Sequence, residues 1–200
     1  MGAEAVRPRP EPVDWAETQR LIRADLDVYA LWYPSLSADQ PLWWRLVYVL
    51  FRTETFGAAL RYRLQILLCS LGLRPLGTLL ASWSQSLSNV SIGHDVRIGG
   101  GLHLVHGFIV INGRTTIGRN ATIAPFVSLG LSNSSRVAFG SPGPTLGDDV
   151  FIGSGAKVLG PLHIGDRSQI GANAVVLEDV PADHSAVGVP ARSFPRRRPA

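Results

Sequence analysis

One cysteine in 200 residues, Cys69, leaves no partner for an intrachain disulfide, and a reducing compartment is the matching expectation. It lies in the apolar run 64–73 and reads as a small core residue. Lysine is equally scarce: Lys157 stands alone among 19 basic residues, the rest being arginine. The arginines are scattered except for Arg196, Arg197 and Arg198, and no aromatic–basic stretch of a nucleic-acid reader is present, so no nucleic-acid partner is expected. The five histidines include no His-x4-His pair, and no metal site is expected. Residues 1–12 are charged and proline-rich, without the apolar stretch of a signal peptide. The run 64–73 falls far short of the roughly 20 residues that cross a bilayer. These absences predict a cytoplasmic protein with no transmembrane segment.

What is present divides the chain in two. Residues 1–13 read as a flexible tail. From 14 to 86 the spacing of apolar residues is helical, with Asp14 as a candidate N-cap. Helices are predicted from Asp14 onward, over 42–51, over 54–71 ending at Gly72, and over 75–86, with a proline-bearing loop at 33–41. Their apolar faces suit packing on each other or on a partner subunit.

Beyond residue 87 aliphatic side chains recur every six positions: Ile92, Ile98 and Leu104; then Ile111, Ile117, Ile123 and Leu129; then Leu146, Ile152, Val158, Ile164, Ile170 and Val176. Neither a helix nor an alternating strand has this period. A coil of three short flat faces does, each face taking about six residues and turning one aliphatic side chain inward. Stacked coils would pair neighbouring turns as parallel strands around one apolar column. One extra residue separates Leu104 from Ile111, and eleven separate Leu129 from Leu146. The second insertion must leave the coil as a loop, 131–145, rich in serine, glycine and proline. The coiled domain is predicted over 87–189, with a basic tail at 190–200.

Several segments now resemble one family. ETFGAALRYRL (54–64), IGGGLHLVHG (98–107), FIGSGAKVLG (151–160), IGANAVVLEDVP (170–181) and GVPAR (188–192) are together similar to the serine acetyltransferases, including their exopolysaccharide-type relatives. The resemblance implies an all-β left-handed parallel β-helix of hexapeptide repeats behind an N-terminal α-helical domain. It also implies an acetyl-CoA-dependent O-acetyltransferase that works as a homotrimer or a dimer of trimers.

By the same resemblance His106 is the catalytic base. A hydroxyl attacks a thioester poorly until its proton leaves, and an imidazole titrates near neutral pH. His103, on the same segment and expected to face outward, is the rival base or an acceptor-binding residue. Gly130, Ser154, Gly155, Ala156, Gly171 and Ala172 are candidates for the coenzyme A track, and Arg192 for its phosphates. Ser91 and Phe108 join His103 as candidate acceptor contacts. Three positions depart from the family. Ser91 stands where an aspartate orients the base, Val105 where a carboxylate precedes the histidine, and Gly143 where a histidine lies near the acceptor. The expected acceptor is therefore a sugar, a polysaccharide unit or another small metabolite, with Phe108 and Phe139 offering it an aromatic face. A true serine O-acetyltransferase is the alternative, and a non-catalytic β-helix used for assembly is the alternative of another class.

Overall fold

The computed structural model describes residues 13–33, 39–131 and 142–196. The expected tail before residue 13, most of the expelled loop with Phe139, and the end of the basic tail fall outside these residues. Four helices come first: α1 (Trp15–Leu31), α2 (Leu42–Arg52), α3 (Glu54–Ser70) and α4 (Arg74–Ser88). Asp14 caps α1 as expected, its carboxylate accepting the Glu17 N–H at 2.7 Å. Thr53 does the same for α3 through the Phe56 N–H. Pro75 sits in the first turn of α4, where its missing N–H costs nothing. Gly77 lets α4 approach α3, because a Cβ there would lie 2.8 Å from Cys69 Sγ. Cys69 is half-buried in this contact rather than in a core.

The first coils contribute β1 (Val90–Ile92), β2 (Arg97–Ile98), β3 (His103–Leu104), β4 (Ile109–Ile111), β5 (Arg114–Ile117), β6 (Thr122–Ile123) and β7 (Ser128–Gly130). After the insertion follow β8 (Pro142–Leu146), β9 (Phe151–Ile152), β10 (Lys157–Leu159), β11 (His163–Ile164), β12 (Gln169–Ile170), β13 (Val175–Val176), β14 (His184–Gly188) and β15 (Ala191–Pro195). They form three faces: β1-β4-β7-β10-β13, β2-β5-β8-β11, and β3-β6-β9-β12-β14-β15. All pairings are parallel except the last. The hexad residues fall in register, Ile92 beside Ile111 beside Leu129 beside Val158 beside Val176. Their side chains form one buried column through the prism. The period of six is therefore the period of a face, as expected.

A stack of coils has an open end, and here α1 and α3 close it. The outermost coil has no preceding coil to take its backbone groups, so side chains do. Gln65 donates to the Ile92 carbonyl at 3.1 Å and Tyr62 to that of Val96 at 3.1 Å. Arg63 donates to the carbonyls of Ile98 and Gly99, both at 2.6 Å, and grips Asp25 bidentately at 2.9 Å. Asp25 in turn accepts the N–H groups of Gly101 and Leu102. The Tyr29 hydroxyl donates to the Leu104 carbonyl and accepts the Leu104 N–H, each at 3.1 Å. These residues are buried, so each bond satisfies a group that would otherwise be desolvated without a partner.

Two boundaries differ from the sequence reading. Residues 142–146 form β8 and pair with β5, so the expelled segment is shorter than 131–145. Residues 191–195, expected in a basic tail, form β15 and run antiparallel to β14. Gly188, at φ +99°, provides the tight reversal that joins them.

Candidate active site

His106 stands between two fixed points. Leu104, two residues before it, is clamped by the Tyr29 hydroxyl. Gly107, the residue after it, touches the end of α4 so closely that any Cβ would overlap the Ser88 carbonyl oxygen. The His106 ring is exposed and has no hydrogen-bond partner among the described residues. A rigid backbone thus presents a free imidazole at the surface, as a base that must meet an incoming hydroxyl requires.

His103 is not the rim residue expected. It is 7% exposed, stacked on Trp32 at 5.3 Å and touched edge-on by Tyr29 at 4.9 Å. Its Nδ1 is buried without a partner among the described residues. The reason is tertiary: the C-terminal end of α1 folds over β3 and covers the ring. Burial pushes the His103 imidazole below its ordinary value. The folded state therefore binds this proton less readily than the unfolded chain. Stability from His103 is present above the unfolded value, near 6.5, and is lost as pH falls through the lower folded one. The wild type should lose thermal stability on going from pH 7.5 to 5.5, and His103→Leu should flatten that loss. Matched melting curves at the two pH values test it.

Phe108 follows on the next corner, exposed, at φ +62°. Phe126 occupies the same corner one coil on, at φ +63°, and the two rings stack at 5.0 Å and 18°. Bulky residues in this backbone region are strained by about 1 kcal/mol or more each. The edge continues through Gly155 and Asn173, since Gly155 donates to the Pro125 carbonyl and Asn173 to that of Ser154.

The candidate coenzyme A residues separate into four kinds. Ser154 and Ala172 are exposed on this edge. Gly155 and Gly171 are needed by the coils themselves, because a Cβ would overlap Asn173 Oδ1 in the first case and lie 2.6 Å from Val187 Cγ1 in the second. Ala156 is 0% exposed and points into the core, so it cannot touch a ligand; the position four residues after the aliphatic Ile152 faces inward here. Gly130 differs from all of these. A Cβ there would meet nothing closer than 3.5 Å, so the fold does not demand glycine. Gly130→Ala should keep the melting midpoint and raise KM for acetyl-CoA roughly tenfold if the bare backbone faces the donor. Steady-state kinetics with a parallel melt distinguishes the two effects.

Ser91 is half-buried on β1, paired in register with Val110. Gly143 lies on β8 against Thr115, where a Cβ would come 2.5 Å from Thr115 Oγ1, so this position leaves no room for a larger residue without rearrangement. Arg192 lies on β15, 3.8 Å from Glu178, both exposed. Asp25, Tyr29 and Arg63 were not among the residues expected from sequence. Their one signal was polarity on an apolar helical face, Asp25 and Tyr29 being one turn apart on α1.

A model of bacterial transferase hexapeptide repeats matches residues 143–178. A serine acetyltransferase of Helicobacter pylori is 41% identical over 120 residues, covering 60% of this chain and 68% of that enzyme. The solved soybean serine acetyltransferase complexed with serine superposes with a TM-score of 0.77 at 31% identity, covering 88% of this chain and 69% of that one. The chain belongs to the serine acetyltransferase family. A serine acetyltransferase solved with CoA is similar at 27% identity and a TM-score of 0.76, over 90% of this chain and 71% of that one. Membership makes the protein an acyltransferase and its coil the left-handed β-helix of the serine acetyltransferases, as the resemblance implied.

Proposed function

We propose that the protein transfers the acetyl group of acetyl-CoA to the hydroxyl of serine, with His106 as general base. The single observation that carries the role of His106 is its exposed, unpartnered ring on a backbone fixed at Leu104 and Gly107. In this reading His106 takes the hydroxyl proton as the oxygen attacks the thioester carbonyl. The tetrahedral intermediate collapses, the carbon–sulfur bond breaks, and the imidazolium returns the proton to the departing thiolate. The products are O-acetylserine and CoA, and no covalent enzyme intermediate is needed. Acetyl-CoA is the co-substrate, in keeping with the relative solved with CoA. The edge formed by Ser154, Gly155, Gly171 and Ala172 fits its pantetheine arm. The acting unit in this reading is a homotrimer or a dimer of trimers.

Serine has better support as acceptor than the sugar expected from the sequence, because the relatives are named for serine and one is complexed with it. A second reading, a neutral hydroxyl acceptor, keeps one observation in its favour. Gly143 packs on Thr115 with no space for an ionisable side chain, and Ser91 and Val105 carry no charge. A zwitterion in a closed site needs charged partners. Thiol release from acetyl-CoA should be measured with L-serine and with a panel of sugars. Turnover of L-serine that depends on His106 supports the first reading; turnover of sugars alone selects the second.

A further inference from the structure

The corner that carries His106 joins β3 to β4. Before it, the Val105 N–H donates to the Ile123 carbonyl at 3.0 Å; after it, the Ile109 N–H donates to the Asn89 carbonyl at 3.1 Å. Strand β3 is the edge of its face and pairs with β6 on one side, so the Leu104 N–H and C=O point to the side where no coil precedes. A single oxygen meets both groups. The Tyr29 hydroxyl accepts the Leu104 N–H and donates to the Leu104 carbonyl, doing the work of an absent strand. Its ring is 1% exposed, wedged edge-on between Phe56 at 5.2 Å and His103 at 4.9 Å. Thr55 Oγ1, 3.3 Å away, is a further partner of the hydroxyl. Burial raises the phenol above its ordinary value, so it stays neutral and keeps its proton for the carbonyl.

We propose that Tyr29 is a positioning residue for His106: its hydroxyl fixes where β3 ends, and with it the point from which the imidazole meets the acceptor. This rests on the reading of His106 as the base. Tyr29 touches no reacting atom; it acts through the backbone of Leu104, two residues before the histidine. Misplacing a reacting group by about 1 Å can cost about 10²-fold in rate, so a bond that holds this backbone bears directly on turnover. Helix α1 is thereby part of the catalytic apparatus as well as a cap. The cap contains its own control. Tyr62 of α3 is also buried and donates its hydroxyl to a carbonyl of the outermost coil, but to Val96, at the corner between β1 and β2.

The test compares Tyr29→Phe with Tyr62→Phe, since each removes one buried hydroxyl and keeps its ring. CoA release from acetyl-CoA with L-serine is measured well below both melting midpoints. Tyr29→Phe lowers kcat about tenfold or more while both KM values stay within about twofold. Tyr62→Phe lowers the melting midpoint and leaves kcat unchanged. In a His106→Ala background Tyr29→Phe costs nothing further, because no ring remains to be placed. Thr55→Val takes one partner from the hydroxyl and leaves the Leu104 bonds, so it lowers kcat by about threefold and decides the question if Tyr29→Phe does not fold. Wild-type kcat in Tyr29→Phe overturns the proposal. Equal losses of kcat in the two tyrosine variants, or a Tyr29→Phe loss that persists without His106, overturn it as well. Near-normal turnover in His106→Ala alone overturns instead the reading on which the proposal rests.

Discussion

Replacing His106 with alanine should lower turnover by about 10²–10⁴-fold, the usual contribution of a positioned general base. The melting midpoint should stay within a degree or two, because the ring is exposed and supports no core, on the order of 0.5 kcal/mol at most for such surface changes. The backbone around it is fixed by Leu104 and Gly107, so loss of the side chain leaves the presenting loop in place. KM for acetyl-CoA should barely move if, as proposed, the donor binds along the edge of Ser154 and Ala172. Steady-state kinetics and a melting curve on the same preparation check both halves. Near-normal turnover in His106→Ala would remove the imidazole from the mechanism.

Arg63→Ala should have the largest effect on stability, about 3–5 kcal/mol, the cost of leaving one half of a buried ion pair alone. Asp25 and Arg63 are both almost fully buried, and the arginine also serves the carbonyls of Ile98 and Gly99. That is a large part of the roughly 5–15 kcal/mol that holds an ordinary domain folded. Arg63→Lys should rescue little, because an ammonium cannot reach two carboxylate oxygens and two carbonyls with the planar fork of guanidinium. Urea unfolding of the three proteins tests this ordering. An Arg63→Ala protein as stable as wild type would mean that water or a relaxed coil satisfies Asp25 instead.

The hexad made the coil legible because each face repeats the same local demand. Ile98, Ile117, Leu146 and Ile164 stand in one register across the second face, and the period alone predicts that. His106 was singled out through its family segment, and the structure leaves its ring exposed. The cap was not, because its bonds join residues far apart: Asp25 reaches Gly101 across 76 positions. No local pattern announces such a partner. The same limit hid the burial of His103, which depends on Trp32 folding back from α1. Ala156 was misplaced for a different reason. A small residue at a corner looks like a ligand cradle, but the inward turn of the position four residues after Ile152 makes it part of the column. Gly130 shows the converse, a glycine whose freedom the coil does not use.

The capped ends bear on what this chain avoids becoming. A parallel coil is a template that could go on adding turns, and an uncovered end offers its bare backbone to any other chain. At one end, Gln65, Tyr62, Arg63, Asp25 and Tyr29 have already taken the groups that a foreign strand would need. At the other, β15 runs against β14 in the opposite direction, so the last rung of that face presents the wrong polarity for another parallel turn. The helices and the final hairpin thus act as two stoppers on a structure whose own logic would otherwise favour fibres. A variant that opens the first stopper, such as Arg63→Ala, is where filament growth would begin.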